Sequence, residues 1–116
     1  MKFIPMTYHY LRYSPKKFLD KLENSPFDTF DLYMSAPSLS GFDYRLKDLI
    51  EFAHEVKKRG LKIYAVTPEN CTYPCNFATQ NEETRESSLR YYQRVIDTAE
   101  FLDIPNVQIS IGFGYF

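Results

Sequence analysis

The stretch Leu61-Lys62-Ile63-Tyr64-Ala65-Val66 decides the fold class. Its aliphatic, β-branched and aromatic residues favour a strand. A segment with helical periodicity precedes it, from about Tyr44 to Arg59, and Gly60 can adopt the positive φ that often ends a helix. A second helical segment follows, over about 82–102. A strand between two helices is typical of a parallel α/β sheet.

The same alternation continues toward both ends of the chain. The predicted strands are residues 2–10, 29–34, 61–66 and 107–111, and the predicted helices run from Ser14-Pro15 to Asn24, from Tyr44 to Arg59 and over 82–102. Serine followed by proline favours a helix start, since proline has no N–H to leave unpaired there. The order β-α-β-α-β-α-β predicts a parallel sheet with right-handed crossovers.

Helical spacing also predicts which helix faces are buried. On the second helix the predicted apolar stripe is Leu46, Leu49, Ile50, Ala53 and Val56. On the third helix it is Leu89, Tyr92, Ile96, Ala99 and Leu102. Thr79 and Glu82 have the spacing of a capping box at the start of the third helix.

The length and composition bound the possible functions. With 116 residues the chain fits one domain, and it is too short for a closed eight-stranded barrel, which takes about 250 residues. The net charge of −1 gives no long-range attraction to nucleic acid or to anionic membranes. No apolar run is long enough to span a membrane, and no signal peptide begins the chain, so we expect a cytoplasmic location. Ten Tyr and ten Phe suit a pocket or an interface.

The predicted sheet raises the question of which elements cover its two faces. A parallel sheet normally has both faces covered, and three helices on one side would leave the other face bare. We expect a bare face to be apolar and therefore untenable in a monomer. Either the helices divide between the two faces, as in a flavodoxin-like fold, or further strands close a barrel.

The sequence around the third predicted strand resembles a known family. The run Tyr64-Ala65-Val66-Thr67-Pro68-Glu69 leads into Tyr73-Pro74-Cys75-Asn76, and the following helix contains Arg85-Glu86-Ser87. These motifs resemble the sugar isomerases and epimerases with a xylose isomerase-like TIM barrel, and within them the fructoselysine 3-epimerases. In the second strand, Asp31 and Tyr33 are similar in position to a Glu and a Trp of that family.

This resemblance implies a (βα)₃β half of a TIM barrel, with strands 1–4, three helices and one domain over residues 1–116. The family reaction is metal-assisted proton transfer next to a sugar carbonyl. Its metal ligands and its acid/base carboxylates come from the second half of the barrel. We therefore expect no metal site in this chain and leave its catalytic residues unassigned; a divalent ion (Mn, Mg, Co or Zn) is expected only in a full-length relative. The chain alone should be inactive.

The alternative is a non-catalytic half-barrel module. Its open sheet would bind a partner or a second copy, giving a homo-oligomer. Under either hypothesis the ligand of the full-length family is a sugar or a sugar derivative. Neither hypothesis involves nucleic acid or a membrane.

Six residues are candidate substrate-binding residues: three end or follow predicted strands at the ligand-binding edge, and for the other three the resemblance implies the role, with Tyr73 and Asn76 in a loop over the barrel mouth. They are Tyr8, His9, Tyr33, Glu69, Tyr73 and Asn76. Four of them also have a structural interpretation: the carboxylate of Glu69 could cap loop N–H groups, Tyr73 and Asn76 could hold a turn, and His9 could be a structural histidine. His54 is expected in solvent. Cys71 and Cys75 have no metal-site or redox spacing and are expected to be free thiols.

Overall fold

The computed structural model describes residues 1–35, 39–40, 44–69 and 75–109. The elements in chain order are a 3₁₀ helix Thr7–Tyr10, α1 Pro15–Glu23, β1 Thr29–Met34, α2 Leu46–Lys58, β2 Lys62–Pro68, α3 Glu82–Phe101 and β3 Asn106–Val107. The predicted alternation is confirmed from α1 to β3. The last part of the predicted fourth strand lies outside the described residues. Within the described ranges, no helix is both long and apolar enough to cross a membrane.

The strands form one parallel sheet in the order β1-β2-β3. On the far side of β1, Met6 makes an isolated parallel bridge to Asp31. The spatial order of the four segments is therefore their order in the chain. Residues from all three helices join one hydrophobic cluster with the apolar residues of β1 and β2. A flavodoxin-like arrangement, with helices on both faces, is thus wrong; the order is that of successive strands of a barrel.

The first predicted strand is the element that differs most from expectation. Residues 2–10 contribute only the Met6 bridge, and Thr7–Tyr10 form a 3₁₀ helix. Pro5 accepts a hydrogen bond from the N–H of Asp31 at 2.9 Å. At the next position the hydroxyl of Thr7, rather than a carbonyl, accepts from the N–H of Tyr33 at 2.8 Å. Because a side chain replaces the backbone acceptor, the backbone is free to turn.

The buried faces of α2 and α3 are rotated from the predicted stripes. The buried residues of α2 are Leu49, Phe52 and Val56, and those of α3 are Ser88, Tyr91, Tyr92, Val95, Thr98 and Ala99. Four predicted core residues are instead exposed: Leu46, Ile50, Leu89 and Ile96. The predicted capping box is also wrong. Asn81 caps α3, because its side chain accepts from the N–H of Thr84 at 2.9 Å.

An ion-pair cluster joins α1 to α2. The Arg59 side chain, only 9% exposed, lies 2.7 Å from Asp20 and 3.1 Å from Glu23 on α1, and 3.2 Å from Glu55 on α2. These charges hold the pKa of Arg59 above its ordinary value, mainly through the hydrogen bond to Asp20. The cluster sets the spacing of the first two helices at the ends away from the candidate site.

The sheet face opposite the helices is polar. Side chains alternate along a strand, and Phe30, Leu32 and Met34 of β1 lie in the helix-side core. Asp31 and Tyr33 therefore point to the other face. The expectation of a bare apolar face is wrong for the described part of the sheet, since the Thr67 hydroxyl lies there within hydrogen-bond distance of both Asp31 and Gln108.

Candidate ligand-binding face of the sheet

Three polar side chains meet on the helix-free face, one from β1, one from β2 and one from the residue that follows β3. The Thr67 hydroxyl of β2 lies 3.0 Å from each carboxylate oxygen of Asp31 on β1. It also lies 3.2 Å from the side-chain oxygen of Gln108, just after β3. A hydroxyl has a single hydrogen to donate. It can satisfy only one of these acceptors at a time, so acceptor capacity remains for a ligand.

The surroundings of Asp31 disfavour the charged form of its carboxyl group. Its carboxyl is partly buried, and desolvation raises its pKa above the ordinary value, while the hydrogen bond from Thr67 acts in the opposite direction. Among the described residues no Lys, Arg or His forms an ion pair with it. A carboxylate in such a setting favours any group that brings hydrogen-bond donors.

An aromatic pair lies beside this group, with Tyr33 paired to Thr67 and one side-chain layer beyond Asp31 toward the carboxyl end of β1. The rings of Tyr8 and Tyr33 pack edge to face, with centroids 5.0 Å apart. Tyr8 is 49% exposed, so one tyrosine ring is open to solvent beside the polar group. His9 is exposed too, and its ring lies 5.5 Å from that of Tyr8. The structure thus brings together three of the six predicted site residues.

Glu69 lies just beyond the carboxyl end of β2, where a ligand-facing residue is expected, but its side chain is only 5% exposed. One carboxylate oxygen accepts from the Ser35 hydroxyl at 3.2 Å, and its carbonyl accepts from the Tyr91 hydroxyl at 2.8 Å. These contacts tie the ends of β1 and β2 to α3. Burial leaves little of Glu69 accessible to a ligand, while its place at the strand end keeps it beside the candidate face.

Asn76 has the contacts of a turn residue. Its side-chain oxygen accepts from the N–H of Ala78 at 2.8 Å, and its own N–H donates to the Ser88 hydroxyl at 2.9 Å. Tyr73 and Cys71 lie outside the described residues. Cys75 is a buried free thiol, and burial raises its pKa to about 11. The thiol is therefore protonated at neutral pH and a poor nucleophile. His54 is exposed on α2, as expected.

A divalent metal does not fit the described part of this chain. Nowhere in residues 1–35, 39–40, 44–69 or 75–109 do three His, Cys, Asp or Glu side chains come together as ligands would. Catalytic metal sites generally use three protein ligands. Asp31 contacts Thr67, and Thr67 contacts Gln108, which is a set suited to hydrogen bonding.

Sequence reasoning missed Thr67 and Gln108, and it singled out Asp31 only as a counterpart of a family glutamate. The signal that could have found them is alternation. Asp31 alternates with apolar Phe30 and Leu32, and Thr67 stands next to the apolar Val66 in the adjacent strand. The register that places the three side chains side by side depends on a bulge between Phe30 and Asp31, which no sequence pattern indicates.

A separate groove of about 720 Å³ opens between α1 and α2 on the helical side, where Lys16, Leu19, Ile50 and Glu51 contribute to its walls. None of the predicted site residues contributes to it. The candidate site is therefore the sheet face and not this groove.

Comparison with solved structures finds the same architecture. A D-psicose 3-epimerase determined in the presence of D-fructose superposes with a TM-score of 0.67 and 15% identity, covering 92% of this chain and 36% of that one. The D-psicose 3-epimerase of Clostridium cellulolyticum H10 with D-tagatose gives a TM-score of 0.70 and 17% identity, with the same coverage. At these identities the likeness shows the fold. The chain spans about a third of the length of these structures.

Comparison of sequences gives the family. No curated protein matches significantly, but residues 19–115 match the family described as the xylose isomerase-like TIM barrel. The match extends over most of the chain, and the sequential parallel strands with helices on one face agree with it. The chain belongs to the xylose isomerase-like TIM barrel family.

Proposed function

We propose that this chain is the N-terminal half of a sugar isomerase- or epimerase-like barrel, and that it supplies a wall of the sugar pocket without turnover of its own. The observation that carries the proposal is the polar and aromatic group on the helix-free face: Asp31, Thr67 and Gln108 beside the Tyr8–Tyr33 pair. Hydrogen-bonding side chains next to an accessible aromatic ring suit a sugar, which has hydroxyl groups and apolar ring faces.

The proposed substrate is a ketose or a ketosamine. The sequence motifs resembling the fructoselysine 3-epimerases support it, and so do the structural neighbours, one determined in the presence of D-fructose and one with D-tagatose. In this proposal Tyr8 and Tyr33 contact the sugar face, His9 and Glu69 lie at the rim, and Tyr73 and Asn76 belong to the loop over the mouth. Metal ligands and acid/base carboxylates are assigned to the second half of the barrel. The location remains a prediction: the cytoplasm.

A chimera tests the proposal. The chain is joined in frame, after β3, to the remaining strands of a D-psicose 3-epimerase, and conversion of D-fructose is followed by chromatography with a divalent metal present. We expect conversion by the chimera and none by the chain alone. Tyr8→Ala should reduce conversion strongly, whereas Tyr13→Ala should not. Tyr13 is a matched control because it is 50% exposed against 49% for Tyr8 and does not pack on Tyr33.

Two results would contradict the proposal. Epimerisation by the purified chain alone would show that it needs no second half. A chimera with the circular dichroism spectrum of a folded α/β protein that fails to bind D-fructose, measured by calorimetry, would show that this sheet face is not a pocket wall.

The second candidate function is a non-catalytic module that binds a partner through its open side. The observation in its favour is on α3, where Leu89 is 55% and Ile96 is 41% exposed. Arg94 and Thr98 contact Tyr44 near the start of α2, and at 100° per residue the two apolar side chains lie on the opposite flank of the helix. Light scattering on the purified chain tests this function, since a strict monomer would contradict it.

A further inference from the structure

The carboxylate of Asp31 has acceptor capacity that the described residues do not use. An ionised carboxylate offers about four lone-pair positions. The only side-chain donor to it in the described part of the chain is the hydroxyl of Thr67, at 3.0 Å from both oxygens. That hydroxyl has one hydrogen, so most of the capacity faces the open side of the sheet.

Desolvation increases the need of the Asp31 carboxylate for hydrogen-bond donors. Asp31 is partly buried and its pKa is raised by burial. In a closed barrel the remaining solvent above it would be displaced. A charged acceptor that loses water without gaining donors costs several times the net value of an ordinary hydrogen bond. Whatever occupies the space above Asp31 must therefore bring donors.

The position of Asp31 matches that of a pocket floor. In the register, Asp31 pairs with Ala65, and Tyr33 pairs with Thr67. Asp31 is thus one side-chain layer, about 6–7 Å along the strand, below the Tyr8–Tyr33 pair. A molecule that contacts these rings and is as long as a six-carbon sugar spans that distance.

We propose that Asp31 is a substrate-positioning residue of the sugar pocket, accepting hydrogen bonds from sugar hydroxyls while the Thr67 hydroxyl, which also lies beside Gln108, holds its carboxylate in place. The proposal rests on the proposed function, because it takes the same face to be the sugar-binding wall. It adds a residue and a role, at the floor of the site instead of at its rim. Thr67 orients the carboxylate through its single hydrogen, and Gln108 bounds the floor on the β3 side.

The test is a titration of the isotope-labelled chimera with D-fructose, followed by NMR. The side-chain carboxyl carbon of Asp31, the backbone amide of Thr67 and the side-chain amide of Gln108 should shift together and saturate with one affinity. In a pH titration, bound D-fructose should lower the apparent pKa of Asp31, because donors favour the charged form. A merely structural carboxylate would show no such change.

Asp31→Asn should weaken binding by about ten-fold, the usual cost of losing hydrogen bonds to a charged acceptor. Asp97→Asn is the matched control: it makes the same chemical change on the exposed side of α3, where Asp97 contacts Gln93. Asp31→Ala is the second variant, and circular dichroism checks the fold of all three.

The outcomes separate the two proposals. If D-fructose shifts Tyr8 and Tyr33 but leaves Asp31 unmoved, and the chimera with Asp31→Asn binds as tightly as the unmodified chimera, the role of Asp31 is overturned and the pocket wall stands. If D-fructose shifts no resonance on this face, both proposals are overturned.

Discussion

At the scale of single residues, the hydrogen-bonding capacity of the Asp31 carboxylate lowers the stability of the folded chain. Its carboxyl is desolvated by the fold and has no cationic partner among the described residues. An amide of the same shape in this position would not carry that charge. Residues that lower stability where they lie are expected at functional sites, because a binding surface must keep unmet hydrogen-bonding capacity.

The stability of the chain should therefore respond to Asp31 with a definite sign. The folded-state pKa of Asp31 lies above its ordinary value of 3.8. Folding therefore favours the protonated carboxyl of Asp31. The resulting stabilisation is fully present below pH 3.8 and is lost as the pH rises through the folded-state pKa. Asp31→Asn should make the chain more stable than the unmodified protein at neutral pH, and the difference should shrink in acid. Urea denaturation across this pH range measures it, with Asp97→Asn as the control; equal stability at neutral pH would contradict the prediction.

At the scale of elements, α2 and α3 end in the same way with different residues. In each case two backbone bonds close the helix: Leu61 N–H to Val56 and Gly60 N–H to Lys57 in α2, and the corresponding bonds from Ile104 and Asp103 in α3. Both ends require a left-handed residue. Gly60 has φ 67° and Asp103 has φ 54°. The glycine adopts this conformation without strain, whereas the aspartate does not.

Exchanging these two residue types should change stability in opposite directions. Asp103→Gly should raise the free energy of unfolding by about 0.5–1 kcal/mol, because glycine removes the Cβ strain. Gly60→Asp should lower it by about 1 kcal/mol. No atom lies within 4 Å of a Cβ added at Gly60, so the cost comes from the backbone alone. Thermal denaturation of the two variants checks the prediction; the same sign for both would refute it.

At the scale of the whole molecule, the described sheet is open on the far side of β3. The helix flank next to that opening has Leu89 and Ile96 exposed. A complete barrel of this family would place a further helix against such a flank. The apolar pair and the polar sheet face together present a surface that is suited to completion by further barrel elements or by a partner.

This surface should make the isolated chain associate as its concentration rises. The double variant Leu89→Glu/Ile96→Glu should remain monomeric, because charges on the flank oppose burial. Leu46→Glu is a control on α2, where Leu46 is 60% exposed. It should leave association unchanged. Analytical ultracentrifugation measures all three proteins, and association of the double variant as strong as that of the unmodified chain would contradict the prediction.

The local pattern predicted much of the architecture. β1 was predicted with its observed bounds, and the helices differ from prediction by two residues or fewer at each end. These features depend on propensity, periodicity and helix-end residues such as Ser14-Pro15 and Gly60, which act over a few neighbours. The family resemblance came from a run of motifs that is contiguous in the chain.

Three features were decided by the tertiary structure alone. The phase of α3 was set by packing against the sheet, which selected Tyr91 and Val95 over Leu89 and Ile96. The first segment became a bridge and a 3₁₀ helix because the Thr7 hydroxyl met the N–H of Tyr33. The polar group forms because the pairing of β1 with β2, with a bulge after Phe30, brings the Asp31 carboxylate within 3.0 Å of the Thr67 hydroxyl. The Thr7–Tyr33 and Asp31–Thr67 contacts join residues at least 26 positions apart in the chain. The phase of α3 depends on which face of the helix the sheet covers. A local sequence pattern carries the propensity of each segment but no information on contacts between distant segments. The sequence by itself therefore determined the order of helices and strands, and the alignment of the strands determined the candidate site.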